Sequence, residues 1–207
     1  PILLGADPGG RRRDQLLGNL AAEFVHTVRA HPAVLDGFVA SRHFHDAIAH
    51  DRPLAFAFAA HAAECVPEGP ARAVLALDAA MAEARRVDRP VPDGAVVALA
   101  PGARLVTLPA GTLAAAEAIA AGRPARAPDP RATELVAIGA RGPAGPDRAV
   151  HVELVSDGIA ALLAACPLDE AGSAAFARAH ELDPEDLAAL ADGLCADGLL
   201  AVAPGVG

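Results

Sequence analysis

The sequence predicts an α+β fold: an N-terminal helical domain followed by a C-terminal module made of a small antiparallel sheet plus three helices. Three features predict it. Apolar residues recur at helical spacing through the first 86 residues. Two β-type runs, 133–140 (TELVAIGA) and 149–155 (AVHVELV), bracket a turn-rich segment. Three segments with helix-start signals then lead into a short closing strand. The expected boundaries are 14–86 for the helical domain, 87–132 for a linker with short strands and a helix, and 133–203 for the C-terminal module.

Residues 1–13 (PILLGADPGGRRR) read as a loose arm. Residues 14–30 form an amphipathic helix, because Leu16, Leu17, Leu20, Phe24, Val25 and Val28 share helical spacing. His31 and Pro32 break it. A second helix carries Val34, Leu35, Phe38 and Val39, and 41–50 (SRHFHDAIAH) is a third. Asp51-Arg52-Pro53 starts a fourth over 54–65. The turn VPEGP at 66–70 precedes a fifth over 71–86, with Val74, Leu75, Leu77 and Met81. Prolines, a glycine and charges make 87–94 a joint. Residues 95–99 and 104–108 are short apolar runs around Pro101-Gly102, either a hairpin or two extended connectors. Residues 112–121 are a short alanine-rich helix. A second proline-rich joint, GRPARAPDP, spans 122–130.

The C-terminal elements are better marked. In 149–155, Val150, Val152 and Leu154 alternate with His151 and Glu153, so the two sets lie on opposite faces of a strand. Between the two β-type runs, RGPAGPDR supplies turn chemistry. Ser156 can cap a helix carrying Ile159, Leu162, Leu163 and Cys166, which Pro167 closes. Asp169 can cap a second helix through Phe176. Asp183-Pro184-Glu185-Asp186 opens a third, with Asp as N-cap and Pro in the first turn. That helix carries Leu187, Leu190 and Leu194, and Gly198 ends it. Strand, turn, strand and three helices make a winged-helix-like module, a form that binds DNA or peptides.

Charge argues against DNA. The net charge is −9, the chain has no lysine, and the third helix region (183–197) holds Asp183, Glu185, Asp186, Asp192 and Asp197 without one cation. A duplex backbone repels such a helix, whereas nucleic-acid binders place Lys and Arg on phosphates. No apolar run is long enough to cross a bilayer, and the start lacks signal-peptide character. Cys65, Cys166 and Cys195 are far apart and form no CxxC. They read as buried free thiols of a reducing cytoplasm. Alanine-rich helices with few aromatics make a thin core. Further apolar faces are then expected to be buried against another chain.

Catalytic signatures are sparse. Six of eight histidines fall between His26 and His61. His43 and His45 point to different sides of a helix, and His43 and His50 lie two turns apart. Neither pair has the i, i+4 spacing of helical metal ligands. They read as surface or interface histidines. His61 and Glu64, one turn apart, suit a surface hydrogen bond or a partner contact. No GxSxG, P-loop or Rossmann fingerprint occurs. The chain therefore reads as no enzyme, with no cofactor or metal of its own.

The second β-run is the stronger lead. If it lies at a sheet edge, an extended peptide can add a strand to its unpaired N–H and C=O groups. The candidate peptide-binding residues are Val150, His151, Val152, Glu153, Leu154 and Val155. Leu187, Leu190 and Leu194 of the third helix supply apolar pockets, and the same three leucines serve equally well as core.

The helical N-terminal domain, the proline-rich joints and the ending DPEDLAALADGLCADGLL together resemble the partner proteins of multinuclear non-heme iron oxidative enzymes. Those partners act in ribosomal peptide modification pathways of the methanobactin and thiaglutamate type. The terminal module is similar to the RiPP recognition element, best known from the peptide chaperone of pyrroloquinoline quinone biosynthesis. Residues 149–155 sit where that element has its leader-binding strand, 159–166 where it has its first helix, and 183–194 where its last helix flanks the leader groove. The resemblance covers the last third of the chain, extends loosely over 75–121, and reaches the first seventy residues only through helical character. It implies a non-catalytic subunit of a heterodimer. Such a subunit holds the leader of a precursor peptide on its edge strand and presents the core to an iron-dependent enzyme that carries all the iron ligands. Nucleic acid and membrane are not expected partners. The alternatives are a winged-helix transcriptional regulator and a small metal-dependent enzyme using His26–His61.

Overall fold

The computed structural model describes residues 8–202. The chain forms two compact units. One takes the residues up to Ala79 together with Gly111–Pro128. The other takes Ala80–Ala110 together with the residues from Asp129 onward. The segment 87–132, expected as a linker, is thus shared between the two units.

The first unit holds α1 (Pro8–Glu23), α2 (Val25–Ala30), α3 (Arg42–Ala49), α4 (Leu54–Cys65), the first part of α5 (Pro70–Arg86), and α6 (Thr112–Ala120). The loose arm expected at 1–13 is helical from Pro8 onward, and residues 1–7 lie outside the described residues. Pro8 fits a first turn, where its missing N–H costs nothing, and the arginines that follow are good helix formers. The single helix expected over 14–30 is two helices, interrupted at Phe24 (φ −104°, ψ 46°). The second expected helix is a pair of 3-10 turns, Pro32–Val34 and Phe38–Ala40, with Gly37 before the second. Ser41 caps α3, where its Oγ accepts from the Phe44 N–H at 3.2 Å.

Three phenylalanines build this unit's core. Phe58 packs edge-to-face on Phe24 (4.9 Å between centroids) and on Phe38 (5.2 Å), and all three rings are fully buried. One carboxylate is buried nearby. Asp78 accepts from the Thr27 N–H (2.9 Å) and hydroxyl (2.8 Å), and its other oxygen lies 2.7 Å from His26 Nδ1. Asp78 and Thr27 have no solvent exposure, so the three contacts offset the desolvation of the carboxylate.

The second unit holds the end of α5, then β1 (Val97–Leu99), β2 (Arg104–Ala110), β3 (Asp129–Arg141), β4 (Ala149–Leu154), α7 (Asp157–Ala165), α8 (Glu170–Ala179), α9 (Pro184–Ala196) and β5 (Leu200–Val202). The two runs around Pro101-Gly102 do not pair with each other. β1 pairs antiparallel with β5, Leu99 opposite Leu200. β2 pairs antiparallel with β3, Arg104 opposite Ile138, and β3 with β4, Ile138 opposite Val152. The strand order is β2-β3-β4. As the central strand, β3 buries both faces: Val136, Ala137 and Ile138 have no exposure. This explains why VAI is apolar without alternation.

Ser156 and Asp169 act as the expected caps. Ser156 Oγ accepts from the Ile159 N–H at 3.4 Å, and Asp169 Oδ1 from the Gly172 N–H at 2.7 Å. Asp183 stands at the N-cap position of α9 but makes no side-chain hydrogen bond there. The β3–β4 turn is tied to the end of α5. The Gly145 N–H donates to Arg85 O (2.8 Å), and Arg148 donates to Asp88 Oδ1 (2.5 Å) and Ala84 O (3.3 Å). Arg104, 4% exposed, donates to Val87 O at 2.7 Å and anchors the start of β2. Among the described residues, no helix is long and apolar enough to cross a membrane.

A candidate peptide-docking edge

β4 is an outer strand: among the described residues, β3 is its one strand neighbour. The pattern of its hydrogen bonds follows from one contact and the register. The Val155 N–H donates to Leu135 O at 3.1 Å, and the register continues as Glu153 opposite Ala137 and His151 opposite Gly139. Hydrogen-bonded and non-hydrogen-bonded pairs alternate along an antiparallel ladder. His151, Glu153 and Val155 therefore bond inward to β3. The N–H and C=O groups of Val150, Val152 and Leu154 point to the free edge.

The side chains divide the other way. His151 and Glu153 share a face with Gly139 and Ala137, and Ala137 belongs to the core packed around α7, α8 and α9. Val150, Val152 and Leu154 lie on the opposite face, with Leu154 62% exposed. Val155, the sixth candidate, lies one residue past the end of β4 and is buried in the core, so it is a packing residue.

The C-terminal end of α9 reaches the sheet beside His151. Arg141 donates to Ala196 O and its guanidinium lies 3.7 Å from Asp197. The His151 ring is folded over Gly139: a Cβ at residue 139 would lie 1.9 Å from His151 Cε1, 2.6 Å from Nε2 and 2.7 Å from Asp197 O. The ring thus fills the space that Gly139 leaves. Nε2 is buried and makes no hydrogen bond among the described residues. His151 is accordingly a spacer between β4 and α9, whereas Glu153 stands half-buried on the same face.

The three leucines of α9 are not a set facing β4. Leu187 and Leu194 are 7% and 5% exposed and sit in the core with Ala137, Val155 and Leu162, while Leu190 packs at its margin. Leu187 also lines an apolar cleft of about 530 Å³, together with Val97, Ala177, Leu182, Ala188 and Ala191. The opposite edge, β2, is poorer for strand addition. It contains Pro109, which has no N–H, and its register shifts between Pro109 and Ala110.

The histidines of the first unit do different jobs. His26 sits on Asp78. His61, expected at the surface with Glu64, is 8% exposed and lies beside Phe38 and Cys65 instead. Glu64 pairs with Arg42 (2.5 Å) and His43 (3.1 Å), which hold its carboxyl below the ordinary range. Among the described residues, no three His, Cys, Asp or Glu side chains are grouped to hold a metal. The three cysteines are free. Cys65, expected to be buried, is exposed at the end of α4, while burial pushes the Cys166 thiol up to about 11.

Sequence reading missed β2 as part of this sheet and Gly139 as the seat of the His151 ring. The available signal was a glycine inside an otherwise apolar strand. The sequence matches no family model and no curated protein.

Proposed function

We propose that this chain is a non-catalytic partner subunit that binds the leader of a ribosomal precursor peptide by strand addition at β4 and presents it to an iron-dependent oxidative modifying enzyme. The observation that carries the reading is the free edge of β4, with the main-chain groups of Val150, Val152 and Leu154 directed outward. The order of elements around it, β3 and β4 followed by α7, α8, α9 and the short β5, supports the same reading. Iron and its ligands belong to the partner enzyme, and the heterodimer works in the cytoplasm. Tethering the leader raises the effective concentration of the core peptide at the iron centre, so modest leader affinity supports turnover.

The acidic α9 gives no support to a DNA-binding role. The test uses the outward-facing residue at the middle of the edge. Val152→Pro removes one donor directed at the guest and leaves the β3–β4 ladder intact, because Val152 does not donate to β3. The chain is co-expressed with a candidate iron enzyme and its precursor, and leader binding is followed by fluorescence anisotropy. Strand addition predicts that Val152→Pro weakens binding about tenfold or more, the worth of one lost main-chain hydrogen bond with an unsatisfied partner. Equal binding by the variant sinks the mechanism, and failure to co-purify with any iron enzyme sinks the partnership.

A further inference from the structure

The edge of β4 has two unlike sides, and a guest strand must match both. Residues of a guest alternate between faces as those of β4 do, since cross-strand neighbours share a face. On one face the guest meets Val150, Val152 and Leu154, an apolar row ending in a leucine 62% exposed. On the other it meets Glu153, which has no cationic partner among the described residues, and the end of α9 beyond His151. Asp197, just past the C-terminal end of α9, stands beside His151, and α9 itself carries Glu185, Asp186 and Asp192 with no lysine or arginine. Arg141 pairs with Ala196 O and Asp197 and so compensates the charge at the end of α9, which leaves Glu153 as the carboxylate on this face with no ion pair among the described residues.

From this juxtaposition we infer that the segment captured at β4 is an amphipathic cationic strand, with apolar residues over Val150, Val152 and Leu154 and arginine or lysine at the alternate positions over Glu153. The inference rests on the strand-addition reading and narrows it to one class of peptide. Apolar cross-strand contacts supply affinity on one side. Opposite charge fixes register on the other, because a slip of one residue carries arginine onto the valine row and valine onto Glu153. The same field disfavours acidic segments, so selectivity comes from repulsion as well as attraction.

Short synthetic peptides that alternate valine with arginine, with threonine or with glutamate separate the possibilities. Each is titrated against the full chain at physiological salt by fluorescence anisotropy, alongside the Val152→Pro and Glu153→Arg variants. The arginine peptide should bind about five- to tenfold tighter than the threonine peptide, and the glutamate peptide weakest. Glu153→Arg should reverse that order, and Val152→Pro should weaken every peptide that binds. Two outcomes overturn the inference and leave strand addition standing: equal, Val152→Pro-sensitive binding of all three peptides, and no binding by the arginine peptide. Binding of the arginine peptide that Val152→Pro leaves unchanged shows attraction to net charge alone and overturns strand addition. Circular dichroism establishes that each variant is folded, and the charge reversal at residue 153 decides the matter if the proline variant is not.

Discussion

Replacing Gly139 with alanine tests whether α9 is clamped beside the docking edge. The added methyl would stand 1.9 Å from His151 Cε1, 2.6 Å from Nε2 and 2.7 Å from Asp197 O. Carbon atoms settle about 3.5–4 Å apart, so the ring has to withdraw by well over an ångström. Two of the three clashes are with a side chain that can rotate. The third is with the main chain where α9 ends, and it yields only if the helix end shifts. Overpacking of this kind costs about 1–3 kcal/mol. We expect about 2 kcal/mol for Gly139→Ala, because the ring can move and Asp197 cannot move freely. Removing the ring with His151→Ala takes away two of the three clashes. The double variant should then be more stable than the sum of the single effects by about 1 kcal/mol. Urea unfolding of the four proteins, followed by circular dichroism, measures the coupling. If the two effects add to within about 0.5 kcal/mol, the ring does not occupy the space over residue 139 and the account of this corner is wrong.

Other consequences follow from single contacts. Asp78→Ala strands the buried N–H and hydroxyl of Thr27 and should cost about 3 kcal/mol or more, lowering the melting temperature by roughly 6–10 °C in a thermal scan. Asp169→Ala deletes the α8 cap and should cost about 1 kcal/mol, and Asp183→Ala should cost less, because Asp183 makes no capping bond. The folded Cys166 thiol keeps its proton up to about 11, while the unfolded thiol releases it from its ordinary value of 9.0. Its burial therefore stabilises the fold fully below pH 9.0, and that contribution is lost as pH rises toward 11. Unfolding across this range should show a falling limb that Cys166→Ala removes. Alkylation of the folded chain near neutral pH should mark Cys65 well before Cys166, read by mass spectrometry of the peptides.

Much of this protein was legible residue by residue. Helical spacing placed α4 and α5 to within a residue, and local cap chemistry at Ser156 and Asp169 placed the starts of α7 and α8. These signals are short-range: a cap or an amphipathic stripe is written within one or two turns of chain. Apolar spacing over so few residues does not distinguish a helix from the two 3-10 turns at Pro32 and Phe38. The edge strand was visible as an alternating run. Its partners were not, since pairing depends on residues far away in the sequence.

The sequence alone determined α4, α5, α7, α8 and α9 as helices, the acidic character of α9 and the two-faced pattern of Val150–Leu154, because these depend only on neighbouring side chains. Only the tertiary structure decided that β2 joins β3 across the α6 insertion, that β1 closes on β5, and that His151 lies over Gly139. It likewise decided which main-chain groups of β4 point outward. Register fixes that choice, and register is set by the packing of distant strands on a common core.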